Sequence, residues 1–324
     1  MESLLALYGT RISRDMLQYT YQFLMEASTR MTITIVPNLS AAQRAAANQL
    51  VAAVEAHDHT YREPYLSNQF NFSLTMPSFF LAYRADQLIG LLSLYTDGGA
   101  GTMADVFVLV HPECRRQGVA TALWQAAKPV LLANGYTEWE FITEQVFLAD
   151  YPEFLARTGL QADPETEYQM AAAAAQFPMP KQSPGRIRPL RAADVAALVP
   201  LYTAAFADQT PAAAHNYLMR AIPDDQTLTY VYVLNQQLVG SCAVDISGVS
   251  DYFFSLFISA DYQNQGLGTD MVRQIMAVRS AAAPKAFTLG VETNNPAALH
   301  VYANAGFKKQ TEVVYLICPK KNNH

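Results

Sequence analysis

The chain is poor in charge of either sign. Asp, Glu, Lys and Arg make up 15 % of its 324 residues, against 51 % hydrophobic residues. Disordered chains show the opposite balance, so a large folded core is expected, with length enough for two domains. Cysteine is scarce: Cys114, Cys242 and Cys318 form no CxxC pair. So sparse and odd a set excludes a disulfide framework and fits a reducing cytoplasm. No apolar run reaches the roughly 18 residues of a spanning helix. The N-terminus also lacks a basic-then-apolar leader pattern. A cytoplasmic protein with no membrane partner is therefore expected. Basic excess is missing too: the net charge is −6, which argues against nucleic acid as a partner. Metal-ligand spacing is absent. Glu55, His57, Asp58 and His59 read as a solvated cluster at a helix end, and no metal is expected.

What is present concentrates at one strand-to-helix turn. Residues 252–258 form an apolar, aromatic run that reads as a buried strand. Leu267, Met271, Val272, Ile275 and Met276 then recur at the spacing of one helix face. Between them lie Gln263, Asn264, Gln265, Gly266, Leu267, Gly268 and Thr269. The first turn of a helix has N–H groups without partners, and the macrodipole adds positive charge there. Residues without Cβ let a bulky anion approach, so this stretch reads as a phosphate seat. It is not a Walker A loop, because no Gly-Lys-Ser/Thr follows. Nor is it a dinucleotide fingerprint, because Met271 stands where the third glycine belongs.

Gln263, Gly266 and Gly268 fill the pattern Gln/Arg-x-x-Gly-x-Gly/Ala. This resembles motif A of the GNAT superfamily of N-acetyltransferases. Residues 291–307 resemble motif B of the same superfamily, Asn-x-x-Ala-x-x-Leu-Tyr-x-x-x-Gly-Phe. Here His300 and Val301 separate Leu299 from Tyr302. Asn295 suits a helix cap, Pro296 the first helical position and Gly306 the C-terminal stop. The resemblance implies acetyl-CoA as cosubstrate, its pyrophosphate on residues 263–269. It implies a backbone N–H on the thioester carbonyl where the fourth strand bulges, at Phe257 or Ile258. It makes Tyr302 the acid that protonates the departing sulfur, and puts Asn294 on the pantetheine or the strand splay. The family has no fixed base. Glu292 is taken first, with Asp245 and Asp251 as alternatives.

The chain also repeats itself. Arg115, Gly118 and Ala120 fill the motif A pattern again, within the stretch Val110, Arg115, Arg116, Gln117, Gly118, Val119 and Ala120. Arginine there would add charge against a phosphate. Gly90 recurs as Gly240 150 residues on, and Arg115 as Gln263 148 on. Gly159 recurs as Gly306 and Tyr168 as Tyr315, each 147 on. Two tandem GNAT-like modules are expected, each an α/β mixed sheet flanked by helices: 31–177 and 186–324, joined by a Pro-rich linker at 178–185. Residues 1–30 read as a helical extension. By the same offset, Leu155 and Phe147 replace Tyr302 and Asn294. The first module thus keeps a phosphate loop and lacks the acid. The expected function is acetyl transfer from acetyl-CoA to a primary amine of a small molecule or amino acid derivative, in the second module. A non-catalytic acyl-CoA sensor and a protein or peptide N-acetyltransferase are the alternatives. A homodimer is left open.

Overall fold

The computed structural model describes residues 31–206 and 209–319; the expected N-terminal helices at 1–30 lie outside them. The first half runs β1 (Met31–Val36), α1 (Ala41–Asp58), β2 (Phe79–Arg84), β3 (Gln87–Tyr95), β4 (Met103–Val110), α2 (Val119–Ala133), β5 (Glu138–Glu144), α3 (Gln145–Asp150), α4 (Phe154–Thr158) and β6 (Gln161–Ala172). The second half runs β7 (Arg186–Pro189), α5 (Val195–Ala205), α6 (Pro211–Ala221), β8 (Thr227–Leu234), β9 (Gln237–Asp245), β10 (Asp251–Ile258), α7 (Leu267–Ala282), β11 (Phe287–Glu292), α8 (Pro296–Ala305) and β12 (Lys308–Ile317).

Period-two alternation, buried on both faces, explains the layers. In β2, Phe79 and Leu81 pack under α1, while Phe80 and Ala82 pack under α2. In the second half, Val231 lies against α5 and α6, and Val244, Phe253 and Leu289 against α7 and α8. Helix ends follow their residues. Ser40 opens α1 with a reciprocal capping box to Gln43. The Asn295 side chain accepts from the Ala298 N–H, and Gly306 (φ 106°) ends α8. Ala171 and Ala172, helix formers by propensity, end β6 because pairing with β11 outweighs local preference.

All twelve strands of the described residues join one sheet, in the order β1-β2-β3-β4-β5-β12-β6-β11-β10-β9-β8-β7. The order is symmetric about the line between β12 and β6, and there the halves cross. β6 pairs antiparallel with β11, Ala172 opposite Phe287 through Glu167 opposite Glu292. β12 pairs antiparallel with β5, Val313 opposite Glu144 through Ile317 opposite Glu140. β6 and β12 also pair with each other. Each contiguous stretch read from the sequence therefore lends its last strand to the other's half of the sheet.

Two pairings are parallel, β4 with β5 and β10 with β11, and both stop early. The first ends at Val106 opposite Phe141 and the second at Phe253 opposite Leu289. Beyond those pairs the strands diverge, leaving a V-shaped opening in each half.

Candidate active site

The two phosphate-seat turns share one backbone. Asn264 (φ 59°) and Gly266 (φ 77°) are left-handed, as are Arg116 (φ 63°) and Gly118 (φ 81°). No protein acceptor among the described residues meets the N–H groups of residues 265–268 or of 117–120. A Cβ at Gly266 or Gly118 would meet nothing within 4 Å, so open space lies before both helix starts. Gly268 has another task. A Cβ there would stand 3.3 Å from Val301 Cγ2, so glycine lets α7 lie close on α8. Ala120, its counterpart, is exposed. No continuous helix covers it, because the chain breaks around Pro152 into α3 and α4.

Side chains of the turns mostly brace the loop. Gln263 Nε2 donates to the Ile258 carbonyl (2.9 Å), as Arg115 Nε does to Val110 (3.1 Å). Gln265 and Gln117 reach back to the carbonyls of Asp261 and Glu113. Thr269 Oγ1 donates to Val301, and Leu267 and Val119 are buried. The guanidinium expected to meet a phosphate is spent elsewhere: Arg115 Nη1 and Nη2 donate to Asp58 Oδ1 (2.7 Å) and Oδ2 (2.5 Å), and Nη1 also to the Tyr151 hydroxyl. Asp58 is likewise not solvated; it is 3 % exposed and also meets His57 Nδ1. Burial alone would raise its pKa, but the hydrogen bonds and charge of Arg115 and His57 outweigh this and hold it below the ordinary carboxylate value. This stability is present above about pH 4 and is lost as pH falls through the lower folded pKa. Asp58→Ala is expected to cost roughly 3 kcal/mol in urea unfolding at pH 7, because it strands the Arg115 charge.

The two openings differ. β4 pairs with β3 in unbroken register from Gly90 opposite Val110 to Tyr95 opposite Asp105. β10 does not: its register with β9 shifts between Phe254 and Phe257, and Ser255 takes φ 48°. The bulge expected at Phe257 or Ile258 thus lies two residues earlier, at Ser255 and Leu256. Phe257 and Ile258 re-enter the ladder opposite Ser241 and Gly240. Two buried hydroxyls clasp the bulge, those of Tyr217 (3.1 Å) and Tyr202 (3.3 Å) on Ser255 Oγ.

Tyr302 is 8 % exposed, its ring edge-on to Phe307 in the core of the second half. Its hydroxyl makes no hydrogen bond with any described residue. Burial first, then Cys242 and Tyr252, push the phenol well above its ordinary pKa, so it stays protonated. In the first half, Phe147, Tyr151 and Phe154 stack on one another instead, and Tyr151 closes over Arg115.

Of the acidic candidates, Asp251 is wholly buried on Arg279 Nε (2.8 Å), a structural pair. Glu292 and Asn294 are exposed. Asp245 instead lines a cavity of about 250 Å³ on the α1 side of the sheet. Carboxylates of both halves meet there: Glu63, Asp105 and Asp245. Burial raises the pKa of all three, that of Asp105 to about 8 with help from Glu140 and Asp97. Arg62 reaches into the same space and donates to the Tyr252 hydroxyl (2.6 Å) and Gln169 Oε1 (3.1 Å). Residues 59–78 bring in Arg62, Glu63, Tyr65 and Phe70, none of which a motif singles out. Only the length of that irregular stretch inside a packed domain hinted at function. A broader depression of about 930 Å³ lies under residues 179–187, beside Gln274 and Val278, and contains no motif residue. No metal-binding group of side chains occurs among the described residues, and no described helix is long and apolar enough to cross a membrane.

A half-sheet that opens between its fourth and fifth strands, with unfilled N–H groups at the mouth and present twice, is the architecture of an acyltransferase. Sequence comparison narrows this. The acetyltransferase (GNAT) family model matches residues 43–148 and again 195–307, and the chain belongs to that family. Among solved structures it is similar to a GCN5-related N-acetyltransferase from Sphaerobacter thermophilus, at 15 % identity and TM-score 0.65, over 89 % of this chain and 95 % of that one. It is also similar to a tandem GNAT protein from the clavulanic acid biosynthesis pathway, at 15 % identity and TM-score 0.61, over 89 % and 98 %. At these identities the likeness shows the fold, tandem GNAT domains on a mixed sheet. No curated protein matches the sequence.

Proposed function

We propose that this protein transfers the acetyl group of acetyl-CoA to a primary amine of a small molecule or amino acid derivative, in its second half. The observation that carries the reading is the bulge at Ser255 and Leu256, present beside the unbonded Tyr302 hydroxyl and absent from β4. The N–H groups of residues 264–268 seat the pyrophosphate, and the opening between β10 and β11 takes the pantetheine arm. An N–H freed by the bulge polarises the thioester carbonyl. Asp245, its pKa raised by burial, takes the ammonium proton directly or through water; it replaces Glu292 in that role because it lines the cavity. The amine then forms the N–C bond, the C–S bond breaks, and Tyr302 gives its proton to the departing thiolate.

The two glycine turns supply a matched test. Gly266 and Gly118 have near-equal φ and equally open surroundings, so a glutamate strains both alike. Gly266→Glu is expected to lower kcat/KM for acetyl-CoA about 10- to 100-fold, the worth of hydrogen bonds to a charged group. Gly118→Glu leaves it within about threefold. Steady-state kinetics on an amine panel reads this. The reverse pattern moves the chemistry to the first half, and insensitivity of both removes the pyrophosphate seat.

A further inference from the structure

The cavity is built by both halves. Segment 59–78 leaves the end of α1 in the first half and crosses onto the second. The backbone N–H groups of Tyr61 and Arg62 donate to Glu144 Oε1, both at 2.8 Å. Ser250 Oγ, in the turn between β9 and β10, donates to Glu63 Oε1 (3.0 Å). Phe70 then stands 5.1 Å from the Tyr217 ring and 5.8 Å from Phe254, centroid to centroid. Tyr65 meets Tyr95 edge-on across the first half, at 5.6 Å. Phe254 immediately precedes the bulge, so this wall ends where the thioester carbonyl would be held.

Size, lining and charge describe an occupant. About 250 Å³ suits a small organic molecule. The rings of Tyr65, Phe70 and Phe254 offer flat apolar walls, and their faces favour a cation. Three carboxylates face one guanidinium, Arg62, which is spent on Tyr252 and Gln169. Carboxylates buried without a matching cation are costly, and a bound cation relieves that cost.

We propose that this cavity is the acceptor subsite, and that it takes a primary ammonium carried on an aromatic or similarly flat apolar body. The Asp245 carboxylate holds the ammonium, and residues 62–70 of the first half form the wall against its body. This rests on the transferase reading of the second half. It gives the first half a task that needs no acid and no CoA: it is part of the substrate site.

The test compares 2-phenylethylamine, ethanolamine and putrescine as acceptors, and measures 2-phenylethylamine binding to the CoA-free protein by calorimetry. Wild type is expected to prefer 2-phenylethylamine in kcat/KM by at least about 10-fold over both others, the worth of burying one ring. Phe70→Ala is expected to erase that preference and to weaken 2-phenylethylamine binding about 10-fold. KM for acetyl-CoA and its hydrolysis without amine should stay unchanged. Should Phe70→Ala fail to fold, Phe70→Leu keeps the apolar volume and is expected to lose part of the preference. An unchanged order of amines in the folded variant overturns the subsite, as does putrescine outranking 2-phenylethylamine. The two readings fail separately. Binding that depends on Phe70 without acetylation of any amine keeps the subsite and removes the transferase. Acetylation indifferent to Phe70 does the reverse.

Discussion

Tyr302→Phe is expected to lower kcat by about 10²-fold or more at neutral pH, with KM for acetyl-CoA nearly unchanged. The substitution removes one oxygen. The ring keeps its place against Phe307, and no described residue loses a hydrogen bond, because the hydroxyl makes none. A purely structural tyrosine would show the opposite pattern, losing stability and keeping its rate. Here the melting temperature should hold or rise slightly, since a buried hydroxyl without a partner is a cost. The phenol's raised pKa keeps the proton available across the working range. Stopped-assay kinetics with a calorimetric melt distinguishes the cases. A wild-type rate in a folded variant would leave the thiolate without its acid and return Tyr302 to the core.

The second large effect concerns the chain rather than the chemistry. Cleavage at an engineered protease site within the exposed residues 181–182 is expected to leave two fragments that co-elute in native size-exclusion chromatography. They should part only in denaturant. Each fragment expressed alone is expected to be insoluble. Without β6, β11 faces solvent along the whole edge from Phe287 to Glu292; without β12, so does β5 from Glu140 to Glu144. Long apolar edges of this kind pair with whatever strand they meet. Between the halves also run the Arg62–Tyr252 and Ser250–Glu63 hydrogen bonds and the Phe70 contacts. A soluble, active fragment 186–324 would show that β6 is dispensable to the second half.

The glycines, caps and repeat offsets were legible in the sequence because local backbone needs select particular residues. Gly266 and Gly118 answer a left-handed turn, and Asn295 with Pro296 a helix start. The crossing of β6 and β12 was not legible. Alternation marks a strand and its faces, but its partner is chosen by contacts far along the chain. The bulge was misplaced by two residues because nothing in 252–258 marks it; Ser255 takes a left-handed φ without being glycine. Arg115 fits a phosphate motif equally well when its charge is claimed by Asp58, fifty-seven positions upstream. Residues 62–70 carry no periodicity at all, so their place on the second half appears only in three dimensions.

The traded last strands have a consequence for inheritance. A half that has lost its acid would ordinarily be free to decay or be deleted, but here its final strand is structural material for its neighbour. Selection on the working half therefore polices the silent one, tolerating drift at Leu155 or Phe147 and forbidding it along β6. Gene duplication gave this chain a spare catalyst, and the interlock turned the spare into a part that cannot be returned.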